Sequence, residues 1–327
     1  MRIASKWILA AGAVTAVLAS VSSSYAQQTI HVGWTIPAEE SKYWMMRRPA
    51  EFPNLGKTYN IEWTQFQGTA PMTQALAAGA LDCATQAPLS LANGVVGGGL
   101  KAYIVAQHVF EKPGGFSVYW AVKDDSPIKT IADLKGKLIA VSSVGSLSDW
   151  LAKQMAIQEG WGQDGIRAVP LGAVEISIAA LKAKQVDAVV LSTEAGFGLE
   201  ERGQGRMLAS MDRYAPHFIT HVVFAQKSLV ANKPETVRRF LKGFFAAIAF
   251  MKTHPDETTA LAERVLHQSA AVVGKDYDFE AGMFIDDGRF DAQAVAALKE
   301  SFIDMGTLHE KPADDVLFTT QFLPVEP

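Results

Sequence analysis

The sequence predicts an α/β protein in two lobes, each a mixed, mostly parallel sheet flanked by helices. Three observations lead there. The chain has 327 residues, more than the roughly 100–200 of an ordinary domain. A strand, helix, strand pattern over residues 59–84 requires a crossover and therefore a parallel sheet, and it returns about a hundred residues later. No low-complexity linker divides the chain into two continuous halves, so the lobes are expected to be discontinuous, with the chain crossing between them more than once.

The elements follow in order. In Thr29–Trp34, Ile30 and Val32 alternate with Thr29, His31 and Gly33, the period of a strand. Tyr59–Phe66 alternates again, with Tyr59, Ile61, Trp63 and Gln65 on one face. Gly68-Thr69-Ala70-Pro71 breaks it and opens a helix, with Thr69 as N-cap and Pro71 in the first turn. Met72, Ala75, Leu76 and Ala80 keep helical spacing, Gly79 marks the stop, and Leu81–Ala84 is a strand. Gly94 to Lys101 reads as a turn before the strand Ala102–Gln107. It is no phosphate loop, because Lys101 lacks a preceding Gly and is followed by Ala102. Leu138–Ser142 is the next strand. A Ser/Gly loop leads to a helix over Ser148–Glu159, then a strand over Ile166–Leu171, a helix over Glu175–Ala183 and a strand over Val186–Ser192. The sequence also echoes itself: Ala75-Leu76 then Leu81-Asp82 matches Ala180-Leu181 then Val186-Asp187. That fits two lobes of similar construction, with Asp82 and Asp187 holding the helix-to-strand turns by side-chain hydrogen bonds. Phe218 to Phe224 looks like a strand. The last third is helical. Glu235–Thr253 carries Val237, Phe240, Leu241, Phe244, Phe245, Ile248 and Phe250 as a core stripe. Asp256–His267 and Ala292–Met305 are further helices, with acidic, turn-rich stretches near Gly274 and Asp286 to Gly288 between them.

Composition narrows the function. Apolar residues make up 49% and charged residues 20% of the chain, which excludes a mostly disordered protein. The formal net charge of −4 argues against a broad nucleic-acid surface, which is usually basic. The single Cys excludes an intrachain disulfide and a multi-thiolate zinc site. Cys83 lies in an expected buried strand, as an inert thiol rather than a reactive one. His217 and His221, four apart, lack the carboxylate motif of a metal site. Gly145-Ser146-Leu147-Ser148 lacks the second Gly of a nucleophile elbow, and no dinucleotide fingerprint follows a strand. No metal and no cofactor are expected.

The first 26 residues read as a cleaved secretory signal peptide. Arg2 and Lys6 form a basic start, Trp7 to Val21 is apolar, and Ser24-Tyr25-Ala26 places small residues before the cut. The apolar run is short for a bilayer core of about 30 Å, and no Cys near the cut offers a lipid anchor. The mature chain is expected to begin near Gln27. Losing Arg2 and Lys6 leaves 28 basic against 34 acidic residues, a balance of −6. The expected location is the periplasm.

Chemistry remains in the loops between strands and helices. Gln67-Gly68-Thr69, Thr85-Gln86-Ala87 and Ser143 to Ser148 all lie there. In open α/β sheets ligands bind at the carboxyl ends of strands, and helix N-termini attract anions. Taken singly, each such residue reads first as a cap of its helix; together they point to a cleft for a small anion or polar ligand. Residues 34–48 add Trp34, Tyr43, Trp44, Arg47 and Arg48, with aromatic walls and guanidinium clamps for a carboxylate or sulfonate. Solvated surface charge is the equal alternative for the two arginines.

The stretch Asp125-Ser126-Pro127-Ile128-Lys129-Thr130-Ile131-Ala132-Asp133-Leu134-Lys135-Gly136-Lys137, continued by Leu138 to Ser148, resembles the second lobe of type II periplasmic solute-binding proteins of ABC transporters. Gly79-Ala80-Leu81-Asp82 with Gln86-Ala87-Pro88 is similar to the first-lobe signature of their nitrate, sulfonate and taurine-binding branch, which is also pyrimidine-precursor-like. The resemblance spans nearly all of the mature chain. It implies the two-lobe periplasmic binding protein fold, with a two-strand hinge near Val118 to Lys123 and Val222 to Lys227. Lobe 1 is then residues 27–120 and 225–327, and lobe 2 residues 121–224. It implies a monomer that captures a small organic anion, a sulfonate or carboxylate, closes over it and docks on a permease, without catalysis. The implied ligand contacts are Trp34, Gly68, Thr69, Gln86, Ser146 and Ser148, with Thr193 and Glu194 after a second-lobe strand; His221 could line the cleft near the lobe junction. A carboxylate at Glu194 opposes a purely anionic ligand and would suit an amine or hydroxyl, or point away. Two other classes share the fold. One is a sensory binding module. The other comprises enzymes of thiamine-pyrimidine or menaquinone synthesis, of which the former carry a Cys-rich motif and the latter are cytoplasmic.

Overall fold

The computed structural model describes residues 28–35, 59–111 and 113–326. The expected signal peptide and Tyr43, Trp44, Arg47 and Arg48 lie outside them. Two five-stranded sheets organise the chain. The first takes β1 (Gln28–Trp34), β2 (Tyr59–Gln65), β3 (Cys83–Gln86) and β4 (Ala102–Gln107); the second takes β5 (Val118–Lys123), β6 (Leu138–Val141), β7 (Arg167–Pro170), β8 (Ala188–Ser192) and β9 (Gly205–Ser210). The chain then returns to the first sheet with β10 (Val222–Gln226). The strand orders are β2-β1-β3-β10-β4 and β7-β6-β8-β5-β9. In each sheet three parallel strands are followed by one antiparallel strand second from the edge, β10 in the first and β5 in the second. The two sheets thus share one topology.

The crossings run through residues 108–117 and 211–221, so the two expected hinge strands are inner strands of the sheets, paired on both sides. The expected lobe boundaries at 120/121 and 224/225 fall inside β5 and β10. By sheet membership Val118–Trp120 goes with the second sheet and Val222–Phe224 with the first. The strand expected from Phe218 begins only at Val222.

Five helices join the strands: α1 (Thr69–Ala77), α2 (Pro88–Gly98), α3 (Leu147–Gln158), α4 (Val174–Lys182) and α5 (Thr193–Glu201). The last third adds α6 (Lys227–Asn232), α7 (Pro234–Thr253), α8 (Pro255–Leu266), α9 (Ala270–Glu280), α10 (Ala292–Asp304) and α11 (Asp314–Leu317). Gly94, Gly97 and Gly98 are helical, and the turn expected over Gly94 to Lys101 begins only at Gly99, a left-handed cap at φ 74°. Thr69 is not an N-cap: Gly68 takes that place, and Thr69 is already helical. The expected acidic turn near Gly274 is helix α9, started by the Ser269 hydroxyl accepting from the Val272 N–H at 3.2 Å. No helix among the described residues is long and apolar enough to cross a membrane.

Helix α7 covers one face of the first sheet. Val237, Phe240, Leu241, Phe244, Phe245 and Ile248 pack on Ile30, Val32, Cys83, Val105 and Val223, all fully buried. Each large side chain buried there contributes ~1.5–3 kcal/mol. Phe250 is half-buried, packs against the edge of this core and stacks on His254 at 3.8 Å.

The internal echo is a structural repeat. Gly79 N–H bonds to Leu76 C=O and Ala80 N–H to Ala75 C=O; Lys184 and Gln185 repeat this onto Leu181 and Ala180. Asp82 N–H donates to His31 C=O at 2.8 Å while its carboxylate accepts from His31 N–H at 2.9 Å. Asp187 does the same with Leu138, both at 2.8 Å. The two Asp side chains therefore bind the neighbouring strand, in the middle of β1 and at the start of β6, and not the turn itself. One position differs: Gly79 has φ 76°, and its counterpart Lys184 holds φ 57°. An L side chain in that region costs about 1–2 kcal/mol, partly offset by the entropy glycine loses. Lys184→Gly should raise unfolding stability by ~0.5–1 kcal/mol in urea titrations, since the exposed Lys184–Asp125 ion pair that it removes contributes little.

Candidate functional site

A cavity of about 150 Å³ lies between the sheets, at the carboxyl ends of their parallel strands. The topology dictates what surrounds it. A helix that follows a parallel strand starts at that strand's carboxyl end. The starts of α1 (Gly68, Thr69), α2 (Ala87, Ser90), α3 (Ser146, Leu147, Ser148) and α4 (Gly172, Ala173, Val174) accordingly all line the cavity. Each start leaves N–H groups without an intrahelical partner and carries about half a positive charge.

The helix ends at the cavity differ in how they are capped. The N-caps of α1, α2 and α4 are Gly68, Ala87 and Ala173, none with a side-chain cap, and Pro88 removes one donor from α2. Only α3 is capped by a side chain, Ser146 accepting from Asp149 N–H at 3.3 Å. Helices α9 and α10, which do not start at the cavity, are capped by Ser269 and Asp291. Backbone donors are thus left open at the cavity. Hydroxyls add to them: Thr69 Oγ1 lies 2.9 Å from Ser90 Oγ, and Ser146 Oγ lies 3.0 Å from Ser148 Oγ, which accepts from Ser142 N–H at 2.9 Å. Phe66, Val118, Val141, Leu147, Val190 and Leu191 supply apolar wall.

The two sides of the cleft touch. Thr69 Oγ1 lies 3.1 Å from Ser143 Oγ of the opposite side, and Asn93 Nδ2 donates to Gly145 C=O at 3.0 Å. Gly68 at φ 113° faces Gly172 at φ 81°. A Cβ on Gly68 would stand 3.6 Å from Gly172 Cα, and one on Gly172 3.4 Å from Gln67 O.

Of the expected contacts, the structure brings Gly68, Thr69, Ser146, Ser148 and His221 to the cavity. Trp34 does not line it: its ring follows Ile30 and Val32 into the core beneath α7. Gln86 is fully buried behind the wall, and neither atom of its amide has a hydrogen-bond partner among the described residues. Thr193 and Glu194 turn to α9, not to the cavity. The Thr193 hydroxyl donates to Glu280, and the Glu194 carboxyl accepts from Gln268 Nε2 at 2.8 Å. Burial pushes the Glu194 carboxyl up, and Glu280 adds to the rise. Glu280 itself, Glu175 and the Gly172-Ala173 turn line the cavity without having been expected there. The alternation of Ile30, Val32 and Trp34 was a readable signal for the buried Trp34. Ser269, at the N-cap position before an Ala-Val run, was one for α9.

Cys83 is fully buried in β3, and burial pushes its thiol far up, so it is no thiolate nucleophile. Among the described residues no group of three or more His, Cys, Asp or Glu could hold a metal ion, and His217 and His221 make no such site.

The sequence model of the family described as NMT1/THI5 like matches residues 60–258. The structure resembles the alkanesulfonate-binding protein SsuA from Xanthomonas axonopodis pv. citri bound to MOPS, with TM-score 0.74 and 18% identity, covering 92% of this chain and 97% of that one. It resembles the periplasmic aliphatic sulphonate binding protein SsuA from Escherichia coli with TM-score 0.71 and 19% identity, covering 90% and 93%. It also resembles the desulfurization enzyme DszB, with TM-score 0.62 and 18% identity, covering 90% and 97%. These likenesses show the fold, which is that of periplasmic binding proteins. No curated protein matches the chain in sequence.

Gly68→Ala puts a side chain in a backbone region that is essentially glycine-only, at about 1–3 kcal/mol, while its Cβ would meet Gly172 only at van der Waals distance. It should lower the melting temperature and leave the radius of gyration in small-angle scattering unchanged.

Proposed function

The chain belongs to the NMT1/THI5 like family, and from that premise we propose that it is the solute-binding component of an ABC importer. In this reading it is exported to the periplasm and captures a small organic anion, a sulfonate or carboxylate, between its two lobes. The observation that carries the reading is the set of open helix starts. Of the five helix starts that reach the cavity, with Ser192 at the start of α5, only that of α3 has a side-chain cap, so N–H groups of the others are available to an anionic head group. The hydroxyls of Thr69, Ser90, Ser146 and Ser148 supply further donors, and the apolar wall suits a short alkyl or aryl tail. The binding proteins it resembles act on sulfonates by their names, which supports the head group.

The lobes would close because the ligand touches both of them. Donors from α1 and α2 belong to the first sheet and those from α3 and α4 to the second, so one head group satisfies both sets only when the cleft is shut. A ligand that binds the closed form alone shifts the population toward it. The closed form would then dock on a permease.

The DszB likeness raises an enzyme reading. A covalent thiol mechanism would need a cysteine at the cavity, and Cys83 lies in the core of the first sheet.

The test is thermal shift in Tris buffer with alkanesulfonates, nitrate, and aliphatic and aromatic carboxylates. An anion held at a hundred times its Kd should stabilise the protein by about 2.7 kcal/mol. Stabilisation by an amine and by none of the anions would contradict the anion reading. Conversion of the bound compound, seen by mass spectrometry, would move the chain to the enzyme class.

A further inference from the structure

Two hydrogen bonds join the lobes at the rim of the cleft. On the second-sheet side, Ser143–Ser146 is a β-turn, closed by Ser146 N–H donating to Ser143 C=O at 3.2 Å. Gly145 stands third in it with φ 74°, a position that favours glycine. Its N–H donates to Asp149 Oδ2 at 2.8 Å, and Asp149 is buried and paired with Lys153 at 2.8 Å. The turn is thus fixed from its own side of the cleft, and its Gly145 carbonyl faces the other side. Asn93 of α2 donates its Nδ2–H to that carbonyl at 3.0 Å. Two residues before Gly145, Ser143 Oγ meets Thr69 Oγ1 of α1 at 3.1 Å. Val144, between the two contacts, is 75% exposed, so its side chain adds no apolar burial against the first lobe.

Spacing ties these bonds to the cavity. Ser90 and Asn93, three apart, share a face of α2. Ser90 lines the cavity, and Asn93 lies about 4.5 Å further along the helix. On the other side, Ser146 ends the turn, and it and Ser148 line the cavity. Asn93, Ser143 and Gly145 are not among the lining residues. A head group that draws the starts of α2 and α3 together therefore also brings Asn93 to Gly145. The contact is only half satisfied: Asn93 Oδ1 is buried and has no hydrogen-bond partner among the described residues. Closing the cleft pairs one donor and strips one acceptor of water, so the bond holds weakly by itself.

We propose that Asn93 and Ser143 form a clasp that sets the lifetime of the closed form, and so the affinity for whatever is bound, without touching the ligand. Both are positioning residues for capture. The proposal rests on the reading of the cavity as a ligand cleft that closes. A bond present in the closed form and absent from the open one multiplies the closed population, and apparent affinity rises by the same factor. Clasp and ligand share no contact, so that factor is the same for every ligand. A side chain that touched the ligand would instead favour one compound over another. The effect falls on dissociation, which requires the clasp to part, and not on encounter with the open cleft.

The test measures affinity by isothermal titration and dissociation rate by stopped-flow tryptophan fluorescence, in Tris buffer. The ligands are propane-1-sulfonate, benzenesulfonate, benzoate, nitrate and the diamine putrescine. Asn93→Asp keeps the shape and sets a second oxygen against Gly145 C=O. It should weaken every compound that binds the unmodified protein by one common factor, about tenfold or more, through faster dissociation. Asn93→Ala removes the bond and the unpaired oxygen together and should weaken binding only about two- to threefold. Ser143→Ala should weaken it by about two- to tenfold, and Ser143→Thr, which keeps the hydroxyl, should bind as the unmodified protein does. Circular dichroism melting curves show that each variant folds. Unchanged affinity in Asn93→Asp overturns the clasp and leaves the cleft reading standing, as does a loss that differs from one ligand to another. Binding of putrescine alone overturns the anion reading, and the clasp is then read on putrescine. Binding of none of the five overturns both.

Discussion

The helix N-termini gathered at the cavity, most of them without a side-chain cap, are the constraint on which this structure depends. Parallel strands force their following helices to start at one sheet edge, and two sheets of the same order set those edges face to face. Like partial charges then converge on one small cavity, and the N–H groups there need partners. Among the helices that start away from the cavity, α9 and α10 have a Ser or Asp side chain as that partner, while α6, α7, α8 and α11 have no side-chain cap. At the cavity, Gly68, Ala87 and Ala173 supply none, which leaves the donors to whatever enters.

In the proposed reading the same geometry makes closure a consequence of binding. The glycine pair Gly68 and Gly172 faces across the cleft in left-handed backbone that side chains rarely adopt, at φ 113° and 81°. Thr69 with Ser143 and Asn93 with Gly145 span the rim on that side. Across the molecule α9 packs against both α8 and α5, with Lys275 over the Phe197 ring at 3.9 Å and Ser269 bonded to Glu201 at 2.5 Å. That seam ties the last third of the chain to the second sheet. Between rim and seam lies the buried Glu111, hydrogen-bonded from both crossings, where any rotation of the lobes must be accommodated.

Much of this was legible in the sequence because it is local. A strand, a Gly, Ser or Thr turn and a helix give the same signal wherever they occur, so Gly68, Thr69, Ser146 and Ser148 could be read off one at a time. The matched Asp82 and Asp187 were visible as a spacing, although their partners, His31 and Leu138, could not be. What failed depends on contacts distant in sequence. Glu280 reaches the cavity because α9 docks on α5, and Gly274 among acidic residues hides that helix from a reading by composition. Gly172-Ala173 contributes backbone N–H groups, and no side chain announces it. Glu194 points at Gln268, a partner 74 residues away.

The most direct measurement is the crystal structure of the protein with a stabilising anion bound. The account predicts the head group within hydrogen-bond distance of backbone N–H groups at the starts of α1 and α2 on one side and of α3 and α4 on the other. A ligand bound outside the cleft, or one that turns its anionic group away from those four helix starts, would contradict it.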